Sequence, residues 1–232
     1  MLRLLLVVVL LSSTAFSADR VTKVRAARLA DLKALVEKAG LPYPVAEVYV
    51  RVLKAEREVE LWASGKRGDP MVLIKTYAIC AASGEPGPKR QEGDLQVPEG
   101  LYEVSEFNPT SSYHLALKVS YPNASDRVRT TDAAHPGGLI YMHGKCASIG
   151  CIAIEDAQIE EVYLTSLDAT GKPVRIDLFP ARLTKEWLAA PSGEAHREFW
   201  GELLPAFEQF EAKHRPVAFT VDKKTGRYVI KP

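Results

Sequence analysis

The segment LIYMHGKCASIGCIAI, Leu139 to Ile154, constrains this chain more than any other, because two apolar runs bracket a very short loop. Leu139 to Met142 reads as a buried strand and Ile152 to Ile154 as another. Gly144 to Gly150 suffices to turn the chain back between them, which predicts His143 and Cys151 at the mouth of one sheet. That pairing suits a thiol nucleophile. A free thiol has a pKa of about 8.5, and a neighbouring imidazole can take its proton and later protonate a leaving amine. Gly144 and Gly150 let the backbone approach a substrate closely, and amides near Cys151 are candidate oxyanion donors.

The string HGKCASIGC, followed by IAIEDAQIEEVY, resembles the catalytic motif of L,D-transpeptidases with a YkuD-type domain. Upstream, ICAASGEPGPKRQEGDLQVPEGLYEV, which ends at Val104, and SSYHLALKVSYPNASDR, Ser111 to Arg127, resemble the YafK-like branch of that family. The resemblance spans roughly Glu47 to Arg182. It implies a β-rich α+β fold, a YkuD-like mixed β-sheet or sandwich with packed helices. By the same likeness Cys151 is the nucleophile, His143 the base, and Gly144, Ser148 and Gly150 the frame of the site. The family forms a thioester with a peptidoglycan stem peptide at meso-diaminopimelate, then passes the acyl group to an amine or to water. The branch includes amidase-like members that release a wall-bound protein, so a wall-attached protein is a second candidate partner. Many members of the family carry a histidine before the glycine-cysteine pair and an arginine two residues after the cysteine, where this chain has Ile149 and Ala153. Lys145, Arg127 and Arg129 are the candidates for that arginine's task.

Duller readings compete. A lone cysteine in an apolar segment is usually an inert, buried, small hydrophobe, but the histidine, glycines and serine at these offsets favour chemistry. His135, His143, Cys146 and Cys151 are four potential zinc ligands within seventeen residues, yet no C-x-x-C pair is present. No metal or cofactor is expected. In an exported chain the odd count of three cysteines implies one free thiol or an intermolecular bridge, and a Cys80 to Cys146 disulfide is expected, with Cys80 ending the run MVLIKTYAIC and Cys146 in the catalytic loop. A Cys146 to Cys151 bridge, which would block the nucleophile, and a fully reduced chain are the alternatives.

Met1 to Arg3, the apolar run Leu4 to Leu11 and the small residues around Ala15 to Ser17 read as a signal peptide, residues 1–17. The run falls short of the ~20 residues a membrane span needs, so the mature chain is expected in the periplasm or at the cell wall without a membrane span. Without Arg3 the chain carries 29 basic residues, one fewer than its 30 Lys and Arg, against 29 acidic ones. That balance gives no reason to expect nucleic acid.

The expected organisation is an N-terminal helix and linker over 18–45, a catalytic domain over 46–182 and a small C-terminal α/β extension over 183–232. Leu29, Leu32, Leu35 and Val36 fall at helical spacing within Val24 to Lys38. Val48, Val50 and Val52, then Val59, Leu61 and Ala63, alternate as a β-hairpin. Further strands are expected at Met71 to Cys80, Leu101 to Phe107, His114 to Val119 and Val174 to Phe179. The Gly- and Pro-rich stretch Ala81 to Gly100 and the polar stretch Tyr121 to Gly138 read as loops that could wall a substrate groove. Asp156 reads as the N-cap of a helix whose Ile159, Val162, Tyr163 and Ser166 share one face. In the extension, Phe199, Leu203, Phe207 and Phe210 recur at helical spacing, with Pro205 expected to start a new helix or kink this one. A final hairpin is expected from Val217 to Ile230. Three classes of function follow: a cysteine enzyme acting on stem peptides, a non-catalytic wall-binding module, and a metal or redox protein built on the His/Cys cluster.

Overall fold

The structure is a computed structural model that describes residues 4–231, with side chains from residue 20 onward apart from those of 191–193. The expected signal peptide, residues 1–17, lies outside the described side chains. Among the described residues no helix is long and apolar enough to cross a membrane.

The N-terminal helix, α1 (Leu4–Lys38), begins earlier than its apolar spacing predicts and ends where Gly40 takes a left-handed φ of 80°. It buries Val24, Leu32 and Val36 and is tied to the helix α3 (Asp156–Asp168) through charge. Arg25 forks onto Asp168, and Arg28 reaches Glu160 at 2.6 Å.

Eight strands follow: β1 (Glu47–Leu53), β2 (Glu58–Ser64), β3 (Val72–Ala78), β4 (Gly100–Asn108), β5 (Ala116–Val119), β6 (Tyr141–His143), β7 (Ile152–Ala153) and β8 (Arg175–Phe179). They form one mixed sheet in the order β3-β2-β1-β8-β4-β5-β6-β7. The sheet curls until its two edges meet. Past the end of β3, the Cys80 amide donates to the Ala153 carbonyl at 3.0 Å, and the Ala153 amide donates to Ala81 at the same distance. Strand β7 therefore has a partner on both sides, which removes an open edge beside the site.

Both faces of the central strands are covered. Val48, Val50 and Val52 of β1 join α1 and α3 in the main core, as the alternation predicts. The intervening Tyr49, Arg51 and Leu53 are buried as well, under the C-terminal helix α5 (Arg197–Lys213). Leu53, Leu101 and Phe179 meet Phe199, Trp200, Leu203 and Phe207 in a second core. Polar ties cross the same boundary: Trp200 Nε1 donates to Glu99 at 2.6 Å, and Arg51 reaches Glu60 and Glu211. The helix runs unbroken through Pro205, so no new helix starts there. Before it lie a short helix α4 (Lys185–Ala189) and a 3₁₀ turn (Pro191–His196); after it comes the expected hairpin, β9 (Phe219–Val221) with β10 (Tyr228–Ile230).

Two local expectations are corrected. The stretch Tyr121 to Gly138 is not all loop, because Asn123 caps a short helix α2 (Ala124–Arg129), its side chain accepting from the Asp126 amide while Asp126 accepts from the Asn123 amide. That reciprocal box satisfies two otherwise orphaned donors. Glu155, not Asp156, is the N-cap of α3, paired with Gln158 in a second capping box. Asp156 is thereby free for another partner.

Candidate active site

The loop Gly144 to Gly150 does not turn the chain back as a hairpin would. β6 and β7 are parallel neighbours, with Met142 opposite Ile152 and His143 opposite Ala153. The loop therefore leaves the far end of β6 and returns to re-enter beside its start. Continuing the register puts Cys151 next to Tyr141, two residues back from His143 and on the same face. Cys151 and His143 are thus diagonal neighbours on one pleat, both opening into a cavity of about 380 Å³ walled by Asn108 to Tyr113.

His143 is held firmly. Its Nδ1 lies 2.6 Å from the Gly144 carbonyl, and because a carbonyl can only accept, Nδ1 carries the proton and the Nε2 lone pair is left unprotonated. Gly144 is itself fixed by its amide, which donates to Leu115. The Tyr113 ring lies over the imidazole, centroids 4.7 Å apart. Asp156 accepts from the Lys145 amide at 2.8 Å, pinning the first turn of the loop. A methyl group on Gly144 would collide with that carboxylate and would come within 3.1 Å of His114 Cβ. We therefore expect Gly144→Ala to lower kcat/KM by about 10² through misplacement of His143. A Tm unchanged within error together with wild-type kinetics would contradict this.

Ser148 pins the backbone of Cys151. Its hydroxyl donates to the Cys151 carbonyl at 2.7 Å and accepts from the Cys151 amide at 3.0 Å. The Cys151 amide is consequently engaged, which leaves the oxyanion role to other amides near Cys151. Gly150 adopts φ of 112°, which a side chain rarely tolerates, and that turn aims Cys151 back into β7. The loop's other end is anchored by the Cys80–Cys146 disulfide, whose Cα atoms are 5.3 Å apart, and Cys151 is the free cysteine. The disulfide removes Cys146 from the His/Cys cluster, and among the described residues no three such side chains gather as metal ligands.

Burial pushes the Cys151 thiol above its ordinary value of 9.0, opposed by the Tyr141 amide and the charge of Lys89. Burial likewise pushes the His143 imidazole below 6.5, opposed by its bond to Gly144. Both shifts favour a neutral thiol beside a neutral imidazole at rest. The alkylation rate of Cys151 by iodoacetamide is therefore expected to climb with pH to a midpoint above 9.0, since alkylation follows the thiolate. A plateau already reached below neutrality would indicate a preformed ion pair instead.

Lys89 has no signal in a motif. It is buried, bonds Asp94 at 2.6 Å and Gln91 at 2.8 Å, and with Cys151 lines a second cavity of about 550 Å³. Both expected loops contribute there, through Glu92 to Leu95 and through Gly137 and Gly138. Of the three cations considered for the missing arginine, Arg129 is turned away to Glu202, whereas Lys145 stays at the rim, bonded to Ser112. Leu139 and Ile149, 69% and 84% exposed, give the opening an apolar lip.

A curled mixed sheet with packed helices, carrying this loop, is matched by the family model described as the L,D-transpeptidase catalytic domain, YkuD, over residues 47–176. The chain belongs to that family. Within it, the chain is 34% identical over 188 residues to the "Putative L,D-transpeptidase YafK" of Escherichia coli (strain K12), covering 79% of this chain and 73% of the relative. Among solved structures it is similar to the helical cell shape determining protein Pgp2 from Campylobacter jejuni, at TM-score 0.47 and 18% identity, over 82% of this chain and 80% of that one. Bd1075 from Bdellovibrio bacteriovorus aligns at TM-score 0.43 and 18% identity, over 72% of this chain and 58% of the other.

Proposed function

We propose that this protein is a peptidoglycan-modifying cysteine enzyme that acts outside the cytoplasm, in the periplasm or at the wall. Cys151 is acylated by a stem peptide at meso-diaminopimelate, and the acyl group is then transferred to an amine or to water. The observation that carries this reading is the free Cys151 standing between two cavities, with a tautomer-fixed His143 opening into one of them.

The chemistry follows from that placement. Nε2 of His143 takes the thiol proton as sulfur attacks the amide carbon, and the same proton passes to the leaving amine as the C–N bond breaks. The amine must leave from the side on which His143 stands. The acceptor, which needs its own proton removed by the same nitrogen, must enter there too, through the cavity beside Asn108 to Tyr113. The acyl donor then occupies the Lys89 side, where both loops wall the cavity. Apolar Leu139 and Ile149 would lie against its uncharged backbone.

The test is mass spectrometry of muropeptides, and of released protein, after incubating sacculi with the mature protein and with Cys151→Ala. New diaminopimelate cross-links identify a transpeptidase; shortened stems or freed wall protein identify a hydrolase or amidase. Identical products from both proteins, with Cys151 shown to be reduced, would leave a wall-binding module as the better account.

A further inference from the structure

The matched family region begins at residue 47, yet the wall of the base's cavity is held by a residue far upstream of it. Arg20, on α1, sends one guanidinium nitrogen to two carbonyls at once, Ser111 at 2.8 Å and His114 at 2.6 Å. Between those carbonyls stands Tyr113, the residue whose ring covers His143. His114 has φ of 71°, a conformation that a residue other than glycine keeps only when its surroundings impose it. Its side chain is held by α3, since His114 Nε2 meets Glu160 at 2.9 Å, and Glu160 in turn accepts from Arg28 of α1. The next residue, Leu115, accepts the Gly144 amide, and Gly144 accepts the proton of His143 Nδ1.

We propose that Arg20 is a positioning residue for the catalytic base: by clamping Ser111 to His114 it sets both the Tyr113 ring and the Gly144 peptide that orient His143. α1 is accordingly a working part of the active site. This rests on His143 being the base, as argued above. The physical logic is that a three-residue-separated pair of carbonyls converging on one cation cannot open without leaving a charge unmatched. Every contact downstream of that turn is directional, so a small shift at Ser111 reaches the imidazole as rotation.

The experiment compares Arg20→Ala, Arg20→Lys, Tyr113→Ala, the Arg20→Ala/Tyr113→Ala double variant and Arg25→Gln. The last breaks the docking of the same helix onto Asp168 without touching the wall. Two readouts are taken: kcat on sacculi, and the ¹⁵N signals of the His143 imidazole, which report the tautomer without any substrate. Arg20→Ala is expected to lower kcat about 10-fold with a mixed-tautomer signal, Arg20→Lys to recover part of both, and the double variant to fall no further than the lower single. Arg25→Gln should lower Tm alone. A wild-type imidazole signal with kcat within two-fold in Arg20→Ala overturns the proposal, as does an equal kcat loss in Arg25→Gln. Should Arg20→Ala not fold, Arg20→Lys decides by the same signal. If the wild-type protein yields no product from sacculi, the functional reading fails while the imidazole spectra still decide on Arg20.

Discussion

Cys151→Ala is expected to abolish product formation from sacculi, a loss of at least about 10³-fold, while the protein stays folded. Ser148 is the hydroxyl of the loop, but its one proton is donated to the Cys151 carbonyl. Its proton is therefore not offered to His143. The fold should tolerate the change because the sulfur's contact with the Leu139 carbonyl, at 3.8 Å, is a weak one, worth under about 1 kcal/mol. His143→Ala should fall by about 10² to 10⁴, the ordinary worth of a general base, and leave Cys151 open to slow alkylation. Residual turnover in Cys151→Ala at a tenth of wild type would remove the cysteine from the mechanism.

The second large effect concerns the Cys80–Cys146 disulfide. Its removal by Cys80→Ser with Cys146→Ser is expected to lower stability by about 4 kcal/mol, because the bond closes a sequence separation of 66 residues in the unfolded chain. Activity should drop with it. The bond fastens the seam at which β3 and β7 meet, marked by the Ala81–Ala153 bridge, and it anchors the loop whose other end is Cys151. Urea unfolding with and without reductant measures the first effect, and turnover of the double serine variant measures the second. A variant equal to wild type in both would mean that the paired backbone alone holds the seam.

Much of the fold was legible because it is local. The hairpin of β1 and β2, the helix α3 and the final hairpin each show their period within a few residues, and each formed where that period lies. The juxtaposition of His143 and Cys151 was legible too, but its geometry was not: seven residues read as a hairpin, and only the strand register makes the connection parallel. Asn123 and Asp126 carried a capping signal that a general reading of the stretch as polar passed over. Of the two expectations for Pro205, a new helix does not arise, because α5 is held along its length by Phe199, Leu203 and Phe207 on the sheet.

Sequence by itself determined the family, the nucleophile and base candidates, and the strand inventory, since each rests on residues close together in the chain. Tertiary structure alone decided that the sheet curls to meet itself at Ala153, that α5 buries the odd-numbered face of β1, and that Lys89, Tyr113 and Arg20 converge around His143 and Cys151. These contacts join residues tens of positions apart. Periodicity and motif spacing carry no information about which distant side chain fills a given site, because that choice depends on packing and on matching buried charge and hydrogen bonds across the whole sheet.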